Sequence, residues 1–351
     1  KLVRLCYKKL SMKRKSLNAQ KLNKTLLKNK KILKLYSKLK KVLSKYRNCK
    51  SFTVAVSGGP DSLALTGLCK ILLSEKKYKV FFALVDHNLR RNSNVEAKQV
   101  KNLLKKNSIK LVVLKNKKRI NKNIQKNARE IRYDLLSNFC KKEGVKHLLT
   151  AHHLDDQVET FFIRLSRGSG VEGLSSMLEK TKLRYNINLL RPFLDINKEE
   201  LNYIAIKIFK KTFKDPSNTN KKFLRTNIRR LKKNLLRNGI DPIKIAHSIK
   251  NIALTKDAIN FYVIKSMKKI VKYKKKETVL NLEDFKKEPK EIKFRIINNI
   301  VKKRANTYYP PRSYKVVNLI NRIEGKKLKK CTLGGCLFEK RNNFLYVSRE
   351  F

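Results

Sequence analysis

Acidic residues are scarce in this chain, and no Asp or Glu precedes Asp61. Against 26 acids stand 88 Lys and Arg, a formal charge of +62 at pH 7. A field of that size repels the chain from itself and attracts polyanions, so the balance points to a nucleic-acid partner. A coding bias toward Lys, Asn and Ile would add surface lysines without regard to function, and charge alone does not separate the two sources.

Also missing is any C-x-x-C pair. The six cysteines, Cys6, Cys49, Cys69, Cys140, Cys331 and Cys336, are scattered. That removes the usual marks of a redox couple, a zinc knuckle or an iron–sulfur site and makes a reducing cytoplasm the expectation. Cys331 and Cys336 flank Gly334-Gly335 and read as two ordinary residues of a hairpin. No apolar run approaches the roughly 20 residues that span a bilayer, so no membrane is expected. Nor does an apolar signal core stand before a small-residue cleavage site. An acid-free start also suits an organellar presequence, although such peptides favour Arg and Ser where this stretch favours Lys.

A chain of 351 residues has room for two or three folding units. The expected division is a basic N-terminal helical segment over residues 1–50, a catalytic domain over 51–238 and a C-terminal region over 239–351. Within the first, Leu35, Leu39, Val42, Leu43 and Tyr46 follow Ile32 at spacings of three and four, as one face of a helix packed beside the catalytic core requires. From Phe52 the pattern alternates strands (Phe52–Val56, Val80–Val85, Lys110–Leu114, His147–Ala151) with helices (Leu63–Leu73, Val95–Lys106, Ile124–Lys142, Asp155–Arg167). This is the reading of an α/β domain with a mainly parallel sheet, in which ligands bind beyond the carboxyl ends of the strands. After Leu201 the chain reads as mainly helical, through Arg225–Leu236 and Ile243–Lys269. Gly and Pro punctuate it near Asn238 to Pro242. Short strands and two helices are expected from about Lys274 onward.

Ser57-Gly58-Gly59-Pro60-Asp61-Ser62 directly follows the first strand and opens an apolar helix. Two glycines let the backbone turn sharply and bring N–H groups against phosphate oxygens, while the helix aims its positive end at the same point. Ser57 and Ser62 add hydroxyls. Asp61 would repel phosphate unless Mg²⁺ lies between them, so a metal-bridged nucleotide is the natural ligand. A Walker A loop would end in Gly-Lys-Ser/Thr, which is absent. Gly168-Ser169-Gly170-Val171-Glu172-Gly173, with Asp195 beyond it, spells a dinucleotide fingerprint. However, Val158, Phe161, Phe162 and Leu165 before it keep helical spacing, and that fingerprint must follow a strand.

The second chemical stretch is Thr150-Ala151-His152-His153-Leu154-Asp155-Asp156-Gln157-Val158-Glu159-Thr160, again between a strand and a helix. One carboxylate at a helix start is an ordinary cap. Asp156 and Glu159, three apart, share a helix face and together suit a cationic amine, a second Mg²⁺ or an accepted proton. The adjacent histidines lack metalloprotease spacing and read as hydrogen-bonding groups. Arg129, Arg132, Arg225 and Arg229 read either as surface cations or as two-pronged grips on phosphate. Phe261, Tyr262, Tyr308 and Tyr309 read as core aromatics or as stacking platforms for unpaired bases.

The hexapeptide resembles the PP-loop of the N-type ATP pyrophosphatases, which break ATP between the α and β phosphates and transfer AMP to an oxygen. The run A-H-H-x-D-D-Q-x-E-T, followed by R-x-S-R-G-S-G-V-E-G-L, is similar to the signature of the tRNA(Ile)-lysidine synthetases. Further matching pieces follow in that family's order: Val85 to Arg90, Ala128 to Tyr133, Arg191 to Leu194, and Asp215 to Asn218 with Arg225, Asn227 and Arg229. The likeness covers about Phe52 to Leu236. A weaker echo lies at Leu333 to Cys336 with Arg349-Glu350, and the stretch before Lys50 has no counterpart. The resemblance implies a Rossmann-like parallel sheet of the PP-loop type with a mainly helical C-terminal appendage. It further implies ATP and Mg²⁺ as cofactors, with free lysine and a tRNA(Ile) whose anticodon begins with cytidine as substrates. Residues Ser57 to Ser62 would hold ATP and Asp61 the metal. Asp156 and Glu159 would hold and deprotonate the amine, supported by Asp155 and His152, while Arg129, Arg132, Arg225 and Arg229 would meet ATP or the tRNA backbone. A homodimer stays open. The competing readings are another PP-loop tRNA-modifying enzyme, such as a cytidine thiolase, and a non-catalytic basic RNA-binding protein.

Overall fold

The computed structural model describes residues 25–46, 49–75, 77–89, 93–117, 124–213, 224–306, 311–325 and 328–350. Arg90, the stretch from Asp215 to Asn218, Tyr308 and Tyr309 lie outside them. The chain forms two units, residues 1–250 and 251–351.

The first unit includes α1 (Lys30–Ser44). The side chain of Asn29 caps it by accepting from the N–H groups of Lys31 and Ile32 at 3.1 and 3.3 Å. Its apolar stripe, Ile32, Leu35, Tyr36, Leu39 and Leu43, is buried in the core of this unit, so the helix is part of the domain that it was expected to flank.

The sheet of the first unit runs in the order β3-β2-β1-β4-β6-β5. It comprises β1 (Ser51–Val56), β2 (Lys79–Asp86), β3 (Leu111–Lys115), β4 (His147–Leu149), β5 (Lys180–Lys182) and β6 (Asn188–Leu190). All pairings are parallel except the edge pair β5–β6. The central strand β1 has β2 on one side and β4 on the other, and the chain reverses its winding there. A crevice therefore opens beyond the carboxyl ends of these three strands. Phe52 and Phe193 are fully buried in this core, each contributing roughly 1.5–3 kcal/mol by leaving water.

Helices α2 (Pro60–Leu73), α3 (Ser93–Lys106), α4 (Ile124–Lys142) and α5 (Leu154–Leu165) fall between the strands as expected. Beyond them come the short α6 (Val171–Leu174), α7 (Lys198–Phe209), α8 (Leu224–Arg237) and α9 (Pro242–Ile270). Helix α2 is apolar nearly all round and buried from Ser62 to Cys69. At Gly67 it meets α7 so closely that a Cβ would lie 2.6 Å from Ile208 Cδ1, which explains a glycine inside a helix. The glycines from Gly168 follow α5, a helix, and Asp195 pairs with Lys38, so the dinucleotide reading stays excluded. The punctuation near Asn238 separates α8 from α9, and the two units divide further on, at Lys250.

The second unit is mainly helical and adds an antiparallel sheet in the order β7-β8-β11-β10-β9. Its strands are β7 (Val271–Tyr273), β8 (Glu277–Asn281), β9 (Lys330–Leu333), β10 (Cys336–Arg341) and β11 (Phe344–Arg349). Helices α10 (Leu282–Lys287), α11 (Lys290–Arg304) and α12 (Ser313–Glu324) complete it, where two helices were expected. Cys331 and Cys336 stand on the two strands of the β9–β10 hairpin as free thiols. The turn between them uses Gly334 and Gly335, both at positive φ. No helix among the described residues is long and apolar enough to cross a membrane.

Candidate functional site

The segments that follow β1 and β4 meet beyond the carboxyl ends of these neighbouring strands. The loop after β1 is wound on one hydroxyl. Ser62 Oγ accepts from the Ser57 N–H at 3.1 Å, lies 3.1 Å from Ser57 Oγ and donates to the Gly59 carbonyl at 3.0 Å. Gly58 has φ +86°, and a Cβ there would lie 2.6 Å from Val100, so both conformation and space require glycine. Gly59 caps α2 and Pro60 occupies its first turn, where the missing N–H costs no hydrogen bond. The remaining N–H groups of that turn have no intrahelical acceptor and face the loop.

Asp61 lies in the same turn. Its Oδ2 is 3.6 Å from His153 Nε2, and its Oδ1 is buried without a hydrogen-bond partner. His153 caps α5 from the β4 side. Its N–H donates to Asp156 Oδ2 at 3.2 Å, and its Nε2 lies 3.5 Å from the same oxygen. Burial alone pushes this imidazole down, but the hydrogen bond to Asp61 and the charges of Asp156, Asp61 and Asp155 together outweigh it and raise its pKa.

One turn along α5, buried Glu159 is gripped by α8. Arg225 Nε donates to its Oε2 and Arg229 Nε to its Oε1, both at 2.6 Å, and Arg225 also reaches Asp156 Oδ1 at 3.2 Å. The carboxylates expected to hold an amine and two of the arginines expected to hold phosphate are thus brought together and paired with one another. Asp155, on the adjoining face of α5, lines a small cavity with Glu159, Arg229, Val158, Phe162 and Ile228.

The other two arginines gather on α4. Arg129 and Arg132 both lie against one ring, their guanidinium carbons 5.0 and 5.3 Å from the centre of Tyr133. Burial raises the Tyr133 phenol, yet Arg132, Arg129 and Arg191 together bring its pKa below the ordinary value. His152 faces this group and hydrogen-bonds Thr150 Oγ1 through Nδ1 at 2.8 Å. Burial, and then the charges of Arg191, Arg129, Arg132 and Arg225, hold it well below 6.5 and keep it neutral at pH 7. The crevice therefore has an acidic side at Asp61, Asp156 and Glu159 and a basic side at Arg129, Arg132 and Arg191, with Arg225 between them.

The sequence assigns Tyr133 and Arg191 no role and reads His153 only as a hydrogen-bonding group. Each stands within a quoted motif, but the contacts that place it in the site, Asp61 for His153 and Arg191 for Tyr133, come from distant parts of the chain. Arg191 ties β6 to its neighbours by donating to the Leu178 carbonyl at 2.7 Å and to Thr181 Oγ1 at 2.9 Å.

The PP-loop domain family matches residues 29–236, which brings α1 inside the family's span. The tRNA(Ile)-lysidine synthase of Wolbachia pipientis wMel is 35% identical over 302 residues, covering 85% of this chain and 70% of that protein. Those of Orientia tsutsugamushi (strain Boryong) and Rickettsia typhi (strain ATCC VR-144 / Wilmington) are 33% and 35% identical over 308 and 300 residues, each covering 85% of this chain and 69% of the relative. The chain belongs to the tRNA(Ile)-lysidine synthase family. It is an ATP-using enzyme of the PP-loop class. Among solved structures, a U34-tRNA thiolase from Methanococcus maripaludis superposes with a TM-score of 0.52 at 17% identity, over 63% of this chain and 78% of that one, a likeness of fold.

Proposed function

We propose that this enzyme joins free lysine to carbon 2 of the first anticodon cytidine of a tRNA(Ile), with release of pyrophosphate and AMP. The observation that supports this most directly is the two-sided crevice: a phosphate-binding loop beside a row of carboxylates and, across from it, a group of guanidiniums. In the first step the cytidine O2 attacks the α phosphorus of ATP, and the bond to the β phosphate breaks. In the second, the neutral ε-amine of lysine attacks carbon 2, and AMP leaves with the former O2. A carbonyl oxygen leaves poorly until it bears phosphate, and an ammonium attacks only after losing its proton.

The N–H groups and hydroxyls of Ser57 to Ser62 cradle the phosphates. Arg129 and Arg132, which have no carboxylate partner among the described residues, draw the negative charge of the reacting phosphate or the tRNA backbone toward the basic side. Mg²⁺ suits this donor set, because the buried Asp61 Oδ1 is orphaned while no cluster of three or more His, Cys, Asp or Glu among the described residues would hold a metal by itself. A single carboxylate plus substrate phosphates is the usual way such an ion is bound, and it would neutralise charge on the departing pyrophosphate.

Asp156 and Glu159 hold the incoming ammonium and take its proton. A carboxylate offers about four lone-pair directions. Glu159 accepts three hydrogen bonds from Arg225 and Arg229, and Asp156 accepts two, from Arg225 and the His153 N–H, with His153 Nε2 also 3.5 Å from the oxygen that takes the N–H. His152, neutral and hydrogen-bonded to Thr150, stands by the arginines of the basic side and supports the site from there. Mass analysis of tRNA nucleosides after incubation with ATP and lysine tests the proposal. A cytidine heavier by one lysine less one water is expected, and unmodified cytidine or one carrying sulfur overturns it.

A further inference from the structure

Helix α9 passes into the second unit with its two faces in contrasting environments. On one face Val263, Ser266 and Ile270 are buried, with Ile259 and Met267 packed beside them against that unit's core. On the opposite face, at helical spacings of three, four and seven, stand Leu254, Phe261, Lys265 and Lys268, all exposed. Phe261 is 70% and the neighbouring Tyr262 59% accessible. The reading of these aromatics as core is therefore wrong: the core side of the helix is complete without them.

We infer that this face is an RNA-binding surface, on which unpaired bases stack on Phe261 and Tyr262 while the flanking phosphates meet Lys265 and Lys268. The inference rests on the RNA partner of the function proposed above and adds a second contact region to it. Large exposed rings interleaved with cations are the composition of single-strand RNA platforms, since every base has a face to stack and every nucleotide a phosphate. Charge decides between RNA and a second copy of the chain. The helix bears six lysines and one acid, Asp257, and the whole chain +62, so two copies meeting on this face would repel. Lys265 and Lys268 have no carboxylate partner among the described residues.

The test is a titration of the full chain and its variants with tRNA(Ile) and with a single-stranded RNA oligonucleotide at several salt concentrations. Loss of stacking in Phe261→Ala should weaken RNA binding about 5- to 150-fold while leaving the slope of log affinity against log salt unchanged. Phe261→Trp should retain the affinity. Lys265→Gln and Lys268→Gln should each make the slope shallower by about 0.7. All four residues are exposed, so melting temperature and ATP affinity should stay at the parent values. Unchanged RNA affinity in the Phe261→Ala, Tyr262→Ala double variant overturns the inference. So does light scattering that shows a parent dimer becoming a monomer in that variant. If RNA binding depends on Phe261 but no lysine enters the RNA, the surface stands and the proposed reaction falls. If lysine is incorporated and the double variant binds normally, the reverse holds.

Discussion

Asp61 sits in the first turn of a helix whose N-terminus favours its negative charge, yet one of its oxygens is buried and makes no hydrogen bond. A buried, unsatisfied acceptor is costly unless a ligand completes it. Asp61→Asn should therefore cut pyrophosphate release about a hundred- to a thousandfold, the usual scale for a preorganised electrostatic contact, with little change in tRNA affinity. Near-normal turnover would remove this carboxylate from the reaction. His152 makes the opposite point, because its environment disfavours charge. Its pKa in the folded chain lies well below the 6.5 of an ordinary histidine, so below pH 6.5 the unfolded chain binds a proton that the folded chain refuses. Stability contributed by the neutral imidazole is thus present above 6.5 and is lost as pH falls. His152→Gln should flatten the acid limb of the stability curve by up to about 1 kcal/mol per pH unit below that point. Urea melts of both proteins between pH 5 and 8 measure it, and superimposable acid limbs would show that the imidazole protonates freely in the folded state.

At the scale of elements, the decisive contact joins α5 to α8. Glu159 is 8% exposed at its side chain, and the two guanidiniums that clasp it are 37% and 32% exposed. Glu159→Gln would keep the shape and remove the charge. Substrate kinetics should show a larger rise in the lysine requirement than in the ATP requirement. Thermal melting should show a loss of about 1–3 kcal/mol, toward the lower end because water reaches both arginines. Equal changes in the two requirements would place Glu159 in the scaffold that docks α8, apart from the amine. Much of this region was legible beforehand. The strand–loop–helix order around Ser57 to Ser62 and the ends of α4 follow from periodicity and from Gly and Pro, which act within a few residues. The pairing of Glu159 with Arg225 and Arg229 was not, because those partners lie 66 and 70 residues further along the chain.

For the molecule as a whole, the place where the first unit ends matters. Ile245 and Ile249 on α9 pack against Val158, Phe161 and Phe162 of α5, so the catalytic unit extends past the Gly and Pro near Asn238. A chain ending at Lys250 should bind ATP·Mg as the full chain does. One ending at Asn238 gives up two buried isoleucines, each worth roughly 1.5–3 kcal/mol, and should melt at a lower temperature. Both should bind tRNA with a shallower salt dependence than the full chain, by about 0.7–0.9 for each phosphate contact removed. An unchanged slope in the shorter chains would assign tRNA binding to the first unit alone.

The sequence by itself determined the local chemistry of this protein. A glycine pair after an apolar strand makes a phosphate loop, and carboxylates three apart share a helix face. These conclusions follow from rules that operate over one or two turns of chain. Only the tertiary structure decided that Asp61, His153 and Asp156 stand together, that two arginines meet carboxylates while two others stack on Tyr133, and that Phe261 faces outward. The physical reason is that opposite charges and apolar faces choose among many partners of the same kind, and the choice is made by which elements pack against each other. A basic chain with 88 possible cations offers far too many pairings for composition or spacing to select one.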